Sequence, residues 1–273
     1  MIIQYDSIKL NVEHLSEFEP SKKTILFLHG FTGSSNDWND IAVKIDKRFN
    51  KTALDLIGHG KSSSPVSVNH YTSESNVAQI EHVTNHLRLK EVILCGYSMG
   101  GRLALQFAVA NPGLVKGLIL ESASAGIKNE KERDARTKSD EETAAFIESN
   151  SIEDFLTMWM DQELFGTLRR FSNERLKNLK AERAKNSKAG LANSLRGFGT
   201  GVMPYIGQEL SKLKMPVILI TGGLDEKFTR INQNLMKSFP KAKHKIIPTA
   251  GHNTHLEEPK KFIETVNAFL SRF

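Results

Sequence analysis

The stretch that decides the fold is Gly96-Tyr97-Ser98-Met99-Gly100. It follows an apolar run at 92–95 and opens a helix-like run at 101–108. A serine between a strand and a helix occupies a strained turn, and glycines two residues to either side remove side chains that would collide there. The helix then directs its first N–H groups toward negative charge beside the hydroxyl. We therefore predict that Ser98 is a nucleophile; a purely structural glycine turn is the alternative.

The composition indicates one α/β domain with an insertion. The chain has 273 residues, of which 39% are hydrophobic and 25% charged, enough to bury one substantial core. No apolar run approaches the ~18 residues of a membrane span, and the N-terminus lacks the layout of a secretion signal. The single cysteine, Cys95, cannot form an internal disulfide. We therefore expect a cytoplasmic protein, with Cys95 as a small core residue.

The charge pattern bears on the choice of partner. The net charge is +6, but basic and acidic residues are interleaved and no aromatic-basic stripe appears. We therefore expect a small anionic substrate and neither nucleic acid nor a membrane as partner. The sequence leaves the oligomeric state open between a monomer and a homodimer.

Strands and helices alternate on both sides of the elbow, which predicts a mostly parallel sheet flanked by helices. The expected elements are a hairpin at 2–15, strands at 24–28, 53–56, 92–95, 115–121, 216–222 and 243–247, and helices at 76–89, 101–108, 229–239 and 259–273. From 124 to 205 no strand-like run occurs, and scattered apolar residues have helical spacing. We therefore predict a core at 1–123 and 206–273, interrupted by a helical cap at 124–205.

Three candidate catalytic residues each follow a predicted strand, in the order Ser98, Asp225, His252. A serine hydroxyl needs an imidazole to accept its proton and a carboxylate to orient that imidazole. This chain order is that of the α/β-hydrolase fold. Asp225 as a turn residue and His252 as a loop histidine are the structural alternatives. Asp55 and His255 are the fallback acid and base.

An oxyanion site requires backbone donors on the other side of the reacting carbonyl. By position, Met99 N–H is one donor and Phe31 N–H, in the loop at 29–35, is the second. We interpret His29 as a brace for this loop and His59 as structural.

The chain resembles the 2-succinyl-6-hydroxy-2,4-cyclohexadiene-1-carboxylate synthases of menaquinone biosynthesis, lyases with the α/β-hydrolase fold. The likeness covers nearly the whole chain and is carried by the stretches at 29–34, 96–102, 121–124, 222–228 and 250–255. It implies that the cap arginines Arg136 and Arg183 hold substrate carboxylates and that Trp159 lines the pocket. Tyr97 and Arg102 fall beside the elbow. One departure is Ala125, where the family pattern has proline before Gly126.

Arg102 has support that does not depend on the resemblance. It lies four residues after Ser98, about one helical turn, and so can reach the edge of the same site. A guanidinium there can hold a carboxylate in a bidentate fork, which a pocket for neutral esters does not need. A surface arginine is the alternative. For Arg136 and Arg183 the sequence alone would favour solvated surface residues.

The reaction implied by the resemblance is an elimination that needs no metal or organic cofactor. Pyruvate would leave 2-succinyl-5-enolpyruvyl-6-hydroxy-3-cyclohexene-1-carboxylate, giving 2-succinyl-6-hydroxy-2,4-cyclohexadiene-1-carboxylate. A serine hydrolase, either a carboxylesterase or a carbon–carbon bond hydrolase, uses the same triad and is the first rival. A non-catalytic relative that binds a small ligand or a partner is the second.

Overall fold

An eight-stranded sheet forms the centre of the computed structural model, which describes all 273 residues. The strands are β1 (Ile2–Tyr5), β2 (Ile8–His14), β3 (Thr24–Leu28), β4 (Asn50–Leu54), β5 (Val92–Tyr97), β6 (Val115–Glu121), β7 (Val217–Gly222) and β8 (Ala242–Ile247). Their order across the sheet is β1-β2-β4-β3-β5-β6-β7-β8. β2 runs antiparallel to both β1 and β4, and all other neighbours are parallel. The predicted α/β architecture is confirmed.

Ten α-helices accompany the sheet. They are α1 (Asn39–Ala42), α2 (Ser73–His86), α3 (Met99–Ala110), α4 (Glu130–Ser149), α5 (Ile152–Met160), α6 (Asn173–Arg183), α7 (Lys188–Phe198), α8 (Glu226–Met236), α9 (Thr254–Glu257) and α10 (Pro259–Leu270). Short 3₁₀ helices occupy Ser35–Trp38, Val68–Tyr71, Glu163–Arg170 and Glu209–Lys212. None of these helices combines the length and the apolar composition that a membrane span requires.

The central strands are buried because helices cover both faces of the sheet. Successive side chains of a strand point to opposite faces, and in β3 they join two different hydrophobic clusters. Leu26 and Leu28 belong to the cluster that includes residues of α3, whereas Ile25 and Phe27 belong to the cluster that includes residues of α10. This two-sided burial explains the continuous apolar runs seen in the sequence.

Several predicted boundaries were wrong for identifiable reasons. β4 spans Asn50–Leu54 rather than 53–56, because the polar Asn50 side chain is buried and donates to Glu19 O at 2.8 Å. The helix expected at 229–239 is α8, which begins at Glu226 because the Asp225 carboxylate accepts Phe228 N–H at 3.0 Å and caps it. The final helix ends at Leu270 instead of 273. The short α9 was not predicted.

Only helices lie between β6 and β7. The helices α4, α5 and α7 share a hydrophobic cluster of seven buried residues. Ile206 N–H donates to Ala125 O at 3.0 Å, which joins the beginning and end of this segment. Gly126, which follows Ala125, has φ 96°, a conformation that favours glycine. The helices α4 to α7 lie within the predicted cap, whose boundaries at 124 and 205 stay a prediction, and the 3₁₀ helix Glu209–Lys212 lies beyond it.

Candidate active site

The elbow after β5 places Ser98 in a strained conformation. Ser98 has φ 49° and ψ −105°, and its N–H donates to Glu121 O at 2.8 Å, which ties the turn to the neighbouring strand. Glycine is required at position 100, where an added Cβ would lie 2.2 Å from Leu28 O. This close approach packs the first turn of α3 against the end of β3. The serine is thereby held at the carboxyl edge of the sheet.

Ser98, His252 and Asp225 come together although they are far apart in sequence. The Ser98 hydroxyl lies 3.1 Å from His252 Nε2, and His252 Nδ1–H donates to Asp225 Oδ2 at 2.6 Å. The carboxylate keeps the proton on Nδ1, so Nε2 is free to accept the serine proton. His252 and Asp225 are 1% and 8% exposed, which keeps this pair away from bulk water. The arrangement suits proton transfer from Ser98.

The fallback acid and base have other partners. The Asp55 carboxylate accepts hydrogen bonds from Ser35 N–H, Lys61 N–H and Asn11 Nδ2 at 2.6–2.9 Å and so holds two loops together. His255 Nδ1 lies 2.6 Å from the Glu121 carboxylate, and its ring stacks on Trp38. Neither contacts Ser98, so the geometry favours Asp225 and His252.

The two predicted oxyanion donors line the same cavity as Ser98. Phe31 and Met99 have no backbone acceptor for their N–H groups, so both are free to bind an oxygen. The loop that carries Phe31 is braced by His29, whose Nδ1–H donates to Gly30 O at 2.8 Å while its Nε2 accepts Leu56 N–H at 3.0 Å. Asn186, in the turn between α6 and α7, donates to Thr32 O at 2.7 Å.

His29 and His59 are buried and electrically neutral at pH 7. Burial, above all, lowers the pKa of His29; it also lowers the pKa of His59 to about 3, with the His29 imidazole contributing. The His59 Nδ1–H donates to Ile57 O at 3.1 Å, and the His59 ring packs 5.0 Å from His29 and 5.8 Å from Phe31, between ring centroids. These contacts are those of structural residues, as we expected for both.

A cavity of about 550 Å³ opens beside the triad. Four of the predicted substrate-binding residues line it: Tyr97, Arg102, Arg136 and Trp159. Trp159 forms an edge contact with Phe31, with ring centroids 5.0 Å apart, so α5 closes the cavity over the loop that carries the oxyanion donor. Charged side chains on the wall are mostly cationic, since Lys128 and Lys227 also line it and Glu132 is its only carboxylate.

Arg102 is a partly buried cation without a carboxylate partner. Its guanidinium donates to Phe198 O at 2.8 Å and to Met203 Sδ at 3.1 Å, and it lies 5.1 Å from the centroid of the Phe198 ring. Burial lowers the pKa of Arg102 to about 9, with the positive charge of Arg136 as the second cause. A buried charge that lacks a counter-ion favours binding of an anion.

Arg136 is held by Asp140, one turn later on α4. Arg136 Nε donates to Asp140 Oδ1 at 2.8 Å, which leaves the two terminal nitrogens of the guanidinium for a ligand. Asp140 is 6% exposed, and its other carboxylate oxygen has no partner. Burial raises the pKa of Asp140, and Arg136 opposes the rise.

Arg183 is separated from this cavity. It is 7% exposed at the end of α6 but does not line the cavity that holds the other predicted residues. Burial is the main reason that the pKa of the Tyr97 phenol lies well above its usual value; Glu121 raises it further and Arg183 opposes the rise. The predicted contact of Arg183 with substrate stays a prediction.

Sequence reasoning missed the residues that hold these loops in place. Asn186 and Asp140 sit in a segment so rich in polar residues that neither stood out. Glu121 belongs to the stretch at 121–124 that carries the family resemblance, but only the structure shows that its carboxylate accepts Thr254 Oγ1–H at 2.7 Å and His255 N–H at 3.0 Å, just after His252. A buried acid at the end of a predicted apolar strand was the one available signal.

Comparison with known proteins identifies the family and agrees with the fold that carries the site. Residues 23–259 match the family described as alpha/beta hydrolase fold. A Bacillus subtilis (strain 168) protein, provisionally assigned as 2-succinyl-6-hydroxy-2,4-cyclohexadiene-1-carboxylate synthase, is 37% identical over 92% of this chain and 91% of its own length. The chain belongs to this synthase family of α/β hydrolases.

Two further members extend the similarity. The 2-succinyl-6-hydroxy-2,4-cyclohexadiene-1-carboxylate synthase of Enterobacter sp. (strain 638) is 30% identical over 88% of this chain and 89% of its own length. The solved structure of MenH from S. aureus superposes with a TM-score of 0.89 at 29% identity, covering 96% of this chain and 98% of that one. The family resemblance read from the sequence is confirmed.

Proposed function

We propose that this protein is a lyase of menaquinone biosynthesis. It eliminates pyruvate from 2-succinyl-5-enolpyruvyl-6-hydroxy-3-cyclohexene-1-carboxylate and releases 2-succinyl-6-hydroxy-2,4-cyclohexadiene-1-carboxylate. The names carried by the most similar relatives support this reaction.

The observation that carries the proposal is an unneutralised guanidinium in the cavity beside the triad. The substrate has three carboxylates, and Arg102 offers a cation that forms no direct ion pair with a carboxylate of the protein. Arg136 presents two free nitrogens in the same cavity. Charge-assisted hydrogen bonds to these groups orient a tricarboxylate relative to Ser98. A neutral ester would leave Arg102 without a direct anionic partner.

The reaction begins with proton transfer inside the triad. His252, oriented by Asp225, accepts the Ser98 proton on Nε2, and the Ser98 oxygen then removes the ring proton beside the succinyl ketone. The resulting enolate oxygen is held by the N–H groups of Phe31 and Met99, which lack other acceptors.

Elimination follows from collapse of the enolate. The electron pair moves through the ring double bond and breaks the carbon–oxygen bond to the enolpyruvyl group. The departing enolate takes up one proton and becomes pyruvate, so no water is consumed and no acyl-serine forms. Ser98 already carries the ring proton, so the proton on His252 is the one that the departing enolate takes up, and both residues return to their starting state.

Release of pyruvate from the purified protein tests this function. We expect rapid release by the wild type and by Ser271→Ala, a control in which an exposed serine outside the cavity is changed. Ser98→Ala should reduce the rate by about 10³-fold or more. A short-chain chromogenic ester, tested in parallel, should turn over slowly.

The opposite pattern would overturn the proposal. If no pyruvate appears while the ester is cleaved through an acyl-serine, the protein is a serine hydrolase that uses the same triad.

A further inference from the structure

The segment that carries His252 is held by a buried carboxylate that has no part in the triad. The Glu257 side chain is 1% exposed. Its Oε2 accepts Gly251 N–H at 2.8 Å, and its Oε1 accepts Asn253 N–H at 3.3 Å. One carboxylate therefore binds the amides of the residues immediately before and after His252.

The cap supplies the counter-ion of this carboxylate. Arg170, at the end of the 3₁₀ helix at Glu163–Arg170, donates through Nη2 to Glu257 Oε2 at 2.8 Å. Its Nη1 donates to Thr249 O and its Nε to Thr167 O, both at 3.0 Å. Arg175 of α6 adds a bond to Leu256 O at 2.7 Å. Both ends of the segment at 249–257 are thus bound to the cap.

From this geometry we propose that Glu257 is a positioning residue for His252, with Arg170 as its counter-ion. The two hydrogen bonds fix the backbone on either side of His252, so the imidazole is held within reach of Ser98. Ser122 Oγ–H donates to His252 O at 2.8 Å and fixes a third backbone group. Proton transfer depends steeply on donor–acceptor distance, so small displacements of the ring slow the reaction. The inference rests on the triad of the proposed function, but it does not depend on which substrate the triad acts on.

The test compares two adjacent glutamates. In Glu257→Gln one of the two carboxylate oxygens is replaced by an NH₂ group. This donor then faces the backbone N–H groups and the Arg170 guanidinium, which are donors themselves. The matched control is Glu258→Gln, because Glu258 is 29% exposed and contacts Thr249 and Lys261 on the surface rather than the neighbours of His252. The probe is a fluorophosphonate, which reacts with a serine that a histidine has activated and releases fluoride.

We expect the fluorophosphonate to label Ser98 of Glu257→Gln at least about tenfold more slowly than Ser98 of the wild type, with the folded fraction unchanged at the assay temperature. In the pyruvate assay kcat should fall by a similar factor while KM stays within about twofold, because the substrate contacts are untouched. Glu258→Gln should label at the rate of the wild type. If folded Glu257→Gln also labels at that rate, the proposal is wrong and Glu257 serves stability alone.

A second variant keeps the test decisive if Glu257→Gln does not fold. Arg170 is half exposed, so Arg170→Met leaves the core intact, and we expect it to slow labelling by about two- to fivefold. Unchanged labelling in Arg170→Met would then overturn the proposal. Labelling also separates this inference from the proposed function. If the wild type is labelled but releases no pyruvate, the proposed lyase activity is wrong, and the labelling rates of the variants still test the role of Glu257.

Discussion

At the scale of single residues, the cavity is distinguished by Arg102, a cation that forms no direct ion pair within the protein. Arg102 has a backbone carbonyl, a thioether and an aromatic ring as its direct contacts, none of which carries a charge. The resulting cost of burying the guanidinium is recovered when a carboxylate binds. A Ser-His-Asp triad is common to many chemistries, and the surrounding charges determine which substrates reach it.

Replacing Arg102 by alanine should separate the tricarboxylate from neutral substrates. A hydrogen bond to a charged group contributes about 1.5–3 kcal/mol, so kcat/KM for pyruvate release should fall about 10- to 100-fold. Turnover of a small neutral ester should change far less. Steady-state kinetics with both substrates measure the difference. The exposed Arg169, paired with Asp161, provides the control variant Arg169→Ala. Equal losses on both substrates would contradict a carboxylate-binding role for Arg102.

At the scale of elements, the position of Ser98 depends on how closely α3 approaches β3. A Cβ at Gly100 would meet the backbone oxygens of Leu28 and His29 at 2.2 and 2.6 Å, and neither oxygen can move without displacing the oxyanion loop. The first turn of α3 carries Met99, so this one contact aligns the nucleophile with both oxyanion donors.

Gly100→Ala should therefore reduce both stability and activity. Relief of the overlap requires shifts of α3 or β3, and we expect a loss of about 2–4 kcal/mol in the free energy of unfolding. Gly113→Ala is the matched control because no atom lies within 4 Å of its added Cβ. Urea unfolding monitored by circular dichroism compares the two variants. Equal stability would show that the close approach is not maintained in solution.

The helix α4 provides a second case, in which two side chains one turn apart act together. Asp140 fixes Arg136 through Nε and so directs the rest of the guanidinium toward the cavity. In Asp140→Asn the amide oxygen can still accept this bond but the charge is lost. We expect KM for the tricarboxylate to rise about two- to fivefold with kcat little changed. Asp134→Asn, an exposed site on the same helix, is the control. A fall in kcat without a change in KM would contradict this role.

At the scale of the whole molecule, buried histidines link stability to pH. The pKa of His59 is about 3 in the folded protein, mainly because of burial, and the ordinary value is 6.5. Between pH 3 and pH 6.5 the His59 side chain therefore binds a proton in the unfolded chain but not in the folded protein. Stability from this group is complete above pH 6.5 and is lost as the pH falls toward 3. The pKa of His29 is lowered too and acts in the same direction.

Lowering the pH from 7 to 5 should reduce the free energy of unfolding by about 2 kcal/mol through His59 alone. We expect His59→Gln to show a pH dependence smaller by this amount, whereas His86→Gln, at an exposed position, should keep that of the wild type. Urea midpoints at the two pH values provide the measurement. An unchanged pH dependence in His59→Gln would mean that its imidazole is already protonated in the folded state.

Local patterns in the sequence were sufficient to predict the sheet and the elbow and to name Ser98, Asp225 and His252 as the candidate triad. The apolar runs of β3, β5, β6 and β7 reflect burial on both faces, and each is visible within a few consecutive residues. The boundaries of β4 and α8 were wrong because they depend on side-chain hydrogen bonds of Asn50 and Asp225. Such bonds leave no periodic signal.

The sequence by itself determined the fold class, the candidate nucleophile and its partners, because each follows from a short run of residues with a characteristic period or turn. Only the tertiary structure decided which groups hold these residues in register. Glu257 and Arg170 are 87 positions apart and Asn186 and Thr32 are 154 apart, so nothing local relates them. It also decided that Arg102 lacks a counter-ion and that Arg183 lies outside the main cavity. The physical reason is that charge compensation and burial depend on distances in space, which chain order does not specify.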